Sequence, residues 1–294
     1  MTAMAKISHL SSDKQRAIVK AFRDLSGGKY SLGQLWSDFI IMSAIAISNS
    51  VDSINAVERE KRYMSIVNNY DTNTVQRFPQ ILALIIKGME LDSDKDFLGE
   101  IYMELGLGNE HKGQFFTPYS VCRLMAKMTY GDDIADKIKS DGFISVNDCA
   151  CGAGATLIAF ANVCRDKKIN YQRDVLFMAQ DIDFVTACMC YIQLSLLGCP
   201  GYVVVGDTLV HPSVSLDKKG ILPLHTENIW LTPMFFTDLW NLRKFRARMA
   251  QAESPTKPQD AANEHGDTAA PKIQENAPSK SEYEETSSGQ LRLF

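Results

Sequence analysis

An α/β fold with parallel strands, preceded by an all-helical unit, is predicted by three features of this 294-residue chain. Residues 1–110 carry capping and breaking signals at helix spacing and no strand-like alternation. From Gly142 onward, short apolar runs alternate with helix-length ones, the pattern of parallel strands joined by right-handed helical crossovers. From Glu253 to Gly289 the composition collapses into Ser, Pro, Lys, Glu, Gln and Ala, too polar to offset the entropy of ordering. The expected organisation is therefore a helical domain over 1–110, an α/β domain over 111–250 and a disordered acidic tail over 251–294.

Taken in order, "SSDKQRAIVKAFRDLSGG" opens on a serine and closes on Gly27 and Gly28, a helix with both ends marked. "SLGQLWSDFIIMSAIAIS" reads as a largely buried helix and "INAVEREKRYMSIVNNY" as an amphipathic one. "TVQRFPQILALIIKGMEL" and "KDFLGEIYMELGL" complete the helical unit. The strands follow as "GFISVNDCA", "DVLFMAQDID" and "GYVVVGDTL", with the helices "TLIAFANVCRD" and "TACMCYIQLSLLG" between them. "ENIWL" is the fourth strand candidate, and "FFTDLWNLRKFRARMAQA" the last helix.

The formal charge is -4, and the segment from Gln251 holds eight acidic against four basic residues, so the folded part is close to neutral. Such a balance does not advertise a broad nucleic-acid surface. The N-terminus lacks a charged-then-apolar signal pattern, and the longest oily run, "FIIMSAIAI", is too short to span a bilayer. A cytoplasmic location is expected. Seven cysteines, an odd number, read as reduced core thiols, and the one-residue gaps in Cys149/Cys151 and Cys188/Cys190 are tighter than zinc-ligand spacing, so no metal is expected.

Ligands of parallel sheets bind beyond the carboxyl ends of the strands. Asp148 stands there on the first strand, followed by Gly152 and Gly154, which let a ligand approach the backbone. Asp181 ends the second strand, where it can accept from ribose hydroxyls, and Asp207 follows the third, within reach of an adenine amino group. Three acids around one glycine loop favour a bound adenosine over surface decoration.

Four stretches in order, "GQFFTP" at 113–118, "DCACGAGA" at 148–155, "AQD" at 179–181 and "GDTL" at 206–209, together resemble the N6-adenine DNA methyltransferases, in particular the modification subunits of type I restriction-modification systems. That resemblance implies a Rossmann-like sheet and S-adenosylmethionine as cofactor. It places Phe116, Thr117 and Pro118 around the methionine end, Asp148, Gly152 and Gly154 in the pocket floor, Asp181 on the ribose and Asp207 on the adenine. DNA and specificity or other modification subunits are the implied partners.

The family activates the adenine amine with Asn or Asp, Pro, Pro, then Tyr or Phe after the fourth strand. The matching stretch here is Thr232, Pro233, Met234 and Phe235. Pro233 would accept through its carbonyl and Phe235 would stack on a flipped base, while Thr232 stands in the acceptor position with a weaker oxygen. The family sheet also continues beyond this point, so a truncated sheet is expected. A cofactor- or DNA-binding accessory protein without transferase activity is the alternative expectation. Finally, "QLRLF" resembles the peptide with which DNA-processing proteins bind the bacterial sliding clamp, with Gln290 as polar anchor and Leu291, Leu293 and Phe294 as the apolar plug.

Overall fold

Side-chain caps set the starts of most helices in the N-terminal half. The computed structural model describes residues 12–108, 116–224, 228–253, 283–285 and 291–293. The Ser12, Ser31 and Asp71 side chains accept backbone N–H groups at the starts of α1 (Asp13–Leu25), α2 (Leu32–Asn49) and α4 (Thr72–Leu91). Between the last two lies α3 (Ala56–Val67), and Asp96 caps α5 (Phe97–Glu104) through Gly99 N–H. The apolar α2 runs through the middle of this half. Its Trp36 and Phe39 are fully buried and meet Phe22 edge to face, with ring centroids 5.2 and 5.3 Å away.

After α6 (Tyr119–Thr129) and α7 (Ile134–Asp141) the chain enters the sheet. Strand β1 (Ile144–Asp148) leads through α8 (Ala155–Asp166) and the single turn α9 (Tyr171–Asp174) to β2 (Val175–Asp181). Helix α10 (Phe184–Leu196) then returns the chain to β3 (Gly201–Val205). The three strands are parallel, with Asp148 level with Ala179 and Asp181 level with Val205. Val175, Phe177, Ala179 and Val203 point to the face covered by α8 and α10, and share one buried cluster with the N-terminal helices. An α/β fold is thus present, its sheet resting on the helical half. The expected boundary near residue 110 lies outside the described residues.

The fourth strand breaks the parallel pattern. Strand β4 (Ile229–Leu231) pairs with β3 antiparallel, Tyr202 opposite Leu231 and Val204 opposite Ile229. A parallel strand needs a crossover long enough to carry the chain back along the sheet, generally a helix. No helix occurs among the described residues between β3 and β4, so the chain re-enters from the end at which β3 stopped. Asn228, in the left-handed region at φ 57°, makes that re-entry, its carbonyl accepting from Val205 N–H at 3.0 Å. The strand order is β1-β2-β3-β4.

The opposite face of the sheet has its own core. Leu176, Tyr202 and Ile229 pack there with Phe143, Phe235 and Trp240. The last two come from a 3-10 turn (Pro233–Phe236) and from α11 (Asp238–Glu253), which starts three residues later than the sequence suggests. Arg59 ties α3 to the sheet edge: it donates to Ile229 O at 2.8 Å, pairs with buried Asp52 at 2.6 Å and lies 4.3 Å over the Trp230 ring. All seven cysteines are free and six are buried. No described helix is long and apolar enough to cross a membrane.

The described residues up to Glu253 belong to one compact unit and those from Tyr283 onward to another. In the second, β5 (Tyr283–Glu285) and β6 (Leu291–Leu293) pair antiparallel. Gln290 and Phe294 of the expected clamp peptide lie outside the described residues.

Candidate cofactor site at the carboxyl edge of the sheet

The glycine loop after β1 is held by its own backbone and by the next strand. Asp148 accepts from Ala150 N–H at 3.1 Å and from the Thr156 hydroxyl, while Cys151 N–H donates to Gln180 O at 2.9 Å. Gly152 and Gly154 sit at φ 53° and 95°, in the left-handed region that side chains disfavour. A Cβ on Gly152 would lie 3.2 Å from the Phe116 ring, and one on Gly154 2.8 Å from Cys190 Sγ. The loop is thereby pressed under Phe116 on one side and against α10 on the other.

Asp181 is the brace of this loop. One carboxylate oxygen accepts from Gly152 N–H at 2.7 Å; the other accepts from Asp183 N–H at 2.9 Å and the Thr186 hydroxyl at 3.1 Å. Across the loop a cavity of about 180 Å³ opens, lined by Phe116, Thr117, Asp148, Gly152 and Asp181. These five predicted residues are brought together. Three others are near but do not line it. Pro118 starts α6, Gly154 packs on α10, and Asp207 accepts from Leu209 N–H at 2.8 Å in the turn after β3. Thr208 joins that turn to the loop, its hydroxyl donating to Cys149 O at 2.5 Å.

A third carboxylate, absent from the sequence reading, completes the lining. Asp96, only 4% exposed, reaches the cavity from the start of α5. Its Oδ1 accepts from Gly99 N–H at 2.9 Å and Gln193 Nε2 at 2.7 Å. Burial pushes its pKa up to about 6, against the lowering effect of those two donors. Gln193 also donates to Ala153 O at 2.8 Å and accepts from Leu98 N–H at 3.0 Å, so one buried amide joins α5, the glycine loop and α10. Beside Asp96 the Cys122 thiol is raised to about 11, by burial first and then by Asp96 and Asp148. A lone Gln in the apolar run "TACMCYIQLSLLG" was the available signal for this network; Asp96 itself is indistinguishable in sequence from an ordinary cap.

The stretch read as catalytic, Thr232 to Phe235, lies at the other edge of the sheet. Because β4 is antiparallel, Thr232 falls level with Gly201, the first residue of β3, at the amino edge of the sheet; its N–H donates to Gly201 O at 3.0 Å. The cavity is at the other edge, four residue steps along β3, roughly 13 Å away at strand rise. Thr232 is fully buried, its hydroxyl donating to Cys199 O at 2.7 Å and accepting from Gly201 N–H at 3.0 Å. Phe235, 1% exposed, has Trp240 and Tyr202 around its ring and Lys244 Nζ 4.3 Å above it. Neither it nor Pro233, in the same 3-10 turn, reaches the cavity or is free to stack on a base.

The donor set has one chemical character. Three carboxylates line the cavity, and no Lys, Arg or His does among the described residues. Such a lining suits a ligand with positive charge and hydroxyl donors, and repels phosphates. At about 180 Å³ the cavity is below the ~300–1,000 Å³ of pockets that enclose a whole drug-sized ligand, so it takes one end of such a molecule. S-adenosylmethionine, with its sulfonium and ammonium groups, fits this lining; a nucleotide pyrophosphate does not.

A family model agrees with the resemblance read from the sequence. The model of the N-6 DNA methylase family matches residues 93–263, more than half of the chain. Among solved structures, a putative class I S-adenosylmethionine-dependent methyltransferase from Listeria monocytogenes is 14% identical, with a TM-score of 0.34, over 69% of this chain and 56% of that one. A type I restriction-modification system methyltransferase subunit from Streptococcus thermophilus is 17% identical, with a TM-score of 0.33, over 72% and 43%. The chain thus spans about half the length of the solved proteins it matches. No curated protein sequence matches it.

Proposed function

From the premise that the chain belongs to the N-6 DNA methylase family, we propose that it binds S-adenosylmethionine at the carboxyl edge of its sheet and serves methyl transfer to adenine N6 in DNA. The observation that carries this reading is the cavity lining of three carboxylates without a described cation. Bound there, the cofactor supplies an electrophilic methyl group on a sulfonium. The chain's own contribution is to hold it: Asp181 keeps Gly152 N–H turned inward and retains lone pairs for hydroxyl donors, and Phe116 closes the loop from above.

Transfer to adenine also needs an acceptor for the amine hydrogens, because the nitrogen lone pair is delocalised into the ring. With Thr232 committed to Cys199 and Gly201 at the other edge, that acceptor comes from outside the 232–235 stretch. Calorimetric titration of the chain with S-adenosylmethionine and with ATP tests the cofactor reading. The first should bind and the second should not; ATP binding as tightly as S-adenosylmethionine would sink it. Tritiated methyl transfer into unmethylated DNA tests the substrate. Incorporation into N6-methyladenine is expected, unaltered by Thr232→Val, and label found only in other acceptors would refute the DNA assignment.

A further inference from the structure

Two of the three cavity carboxylates already have both oxygens engaged by the protein. Both oxygens of Asp148 and both of Asp181 accept hydrogen bonds from the glycine loop or from the helix that follows their strand. Asp96 differs. Gly99 N–H and Gln193 both address Oδ1, and among the described residues none donates to Oδ2. The residue is only 4% exposed, and Oδ2 is the atom that a Cβ on Gly99 would meet first. Asp96 lines the cavity.

The surroundings keep this oxygen in place without neutralising it. Glu100 on the same helix adds negative charge beside it, and both Asp96 and Asp148 act on Cys122. Lys95, its chain neighbour, pairs with Asp92 at 2.6 Å. A Cβ at position 99 would collide with the Asp96 carboxylate, so glycine there leaves the acid its room. A buried carboxylate with one unfilled acceptor and no cationic partner is costly unless a ligand supplies the cation.

We propose that Asp96 receives the ammonium group of the ligand's amino-acid end through Oδ2. This assignment rests on the cofactor reading above and deepens it. It makes α5, an element of the helical half, part of the binding site, held in register with the glycine loop by Gln193. An ammonium-to-carboxylate hydrogen bond in a buried site is among the stronger ones, and losing it should weaken binding by about 10–100-fold.

The test titrates wild-type protein and Asp96→Asn with S-adenosylmethionine, with its decarboxylated form, which keeps the amine, and with 5′-methylthioadenosine, which lacks the amino-acid end. Asp96→Asn should lose about 10–100-fold for the first two ligands. For methylthioadenosine it should stay within about threefold of wild type, which also reports that the variant is folded. A second measurement needs no variant: an S-adenosylmethionine analogue with hydroxyl in place of the amine should bind wild type at least about tenfold more weakly than the parent. Equal losses for all three ligands, or no loss for any, would overturn the assignment, as would undiminished binding of the hydroxyl analogue. Failure of wild type to bind S-adenosylmethionine would overturn the cofactor reading itself.

Discussion

The two edges of the same sheet make opposite use of polar residues. At the carboxyl edge, Asp148, Asp181 and Asp96 surround a cavity, two glycines sit in left-handed backbone, and one carboxylate keeps an oxygen to which no described residue donates. At the amino edge, Thr232 spends its hydroxyl on two backbone groups and Phe235 is sealed beneath Trp240. The first arrangement carries unmet polar capacity, and the second is satisfied. What separates them is strand direction: the residue after a parallel strand faces the ligand edge, and the residue after an antiparallel one faces away. A polar residue at a strand end is informative only once that direction is known.

Four substitutions break or sharpen this contrast. The largest effect is expected from Phe235→Ala, which empties the second core and should cost about 3–5 kcal/mol of stability. Denaturant titration measures it, and cofactor affinity of the folded fraction should be unchanged. A stable Phe235→Ala protein that had lost cofactor binding would place the ring in the site after all.

Asp96→Asn should move stability the other way. The folded protein holds this acid at about pH 6 against an ordinary value of 3.8, so folding binds its proton more tightly. Stability therefore falls as pH rises from about 4 to 6 and stays lower above. Asparagine does not titrate, so the variant should gain about 1–3 kcal/mol at pH 8, and the gain should vanish towards pH 4. Melting curves across that range check both the sign and the window. A variant less stable than wild type at pH 8 would mean that the carboxylate is chiefly a cap.

At the amino edge, Thr232→Val leaves the buried Gly201 N–H without its side-chain acceptor and should cost about 1–3 kcal/mol, again without change in cofactor affinity. The smallest stability effect is expected from Gly152→Ala at the carboxyl edge. Left-handed backbone costs a non-glycine residue about 1–2 kcal/mol, and the new methyl presses on Phe116. Here the folded protein should also bind cofactor more weakly, so affinity and stability fall together at this edge and separate at the other.

The three parallel strands and their crossover helices were legible because each is a continuous apolar run of its proper length, as β2, with Val175 to Phe177 fully buried, shows. The glycine loop was legible for a similar reason: its spacing and its acid are contiguous in sequence. The direction of β4 was not, since "IWL" reads the same in either direction, and the lack of a helix in the connection before it was the only cue. Asp96 was hidden by distance. Its partner Gln193 lies 97 positions away, and a carboxylate that both caps a helix and lines a cavity shows only the nearer role in sequence.

The most direct test sets the two edges side by side: calorimetric titration of S-adenosylmethionine into Asp181→Ala and Thr232→Val, each compared with wild type. Losing the Asp181 brace on Gly152 should weaken binding by more than about tenfold. Thr232→Val should remain within about twofold of wild type. Binding abolished by Thr232→Val and unaltered by Asp181→Ala would contradict the placement of the site at the carboxyl edge.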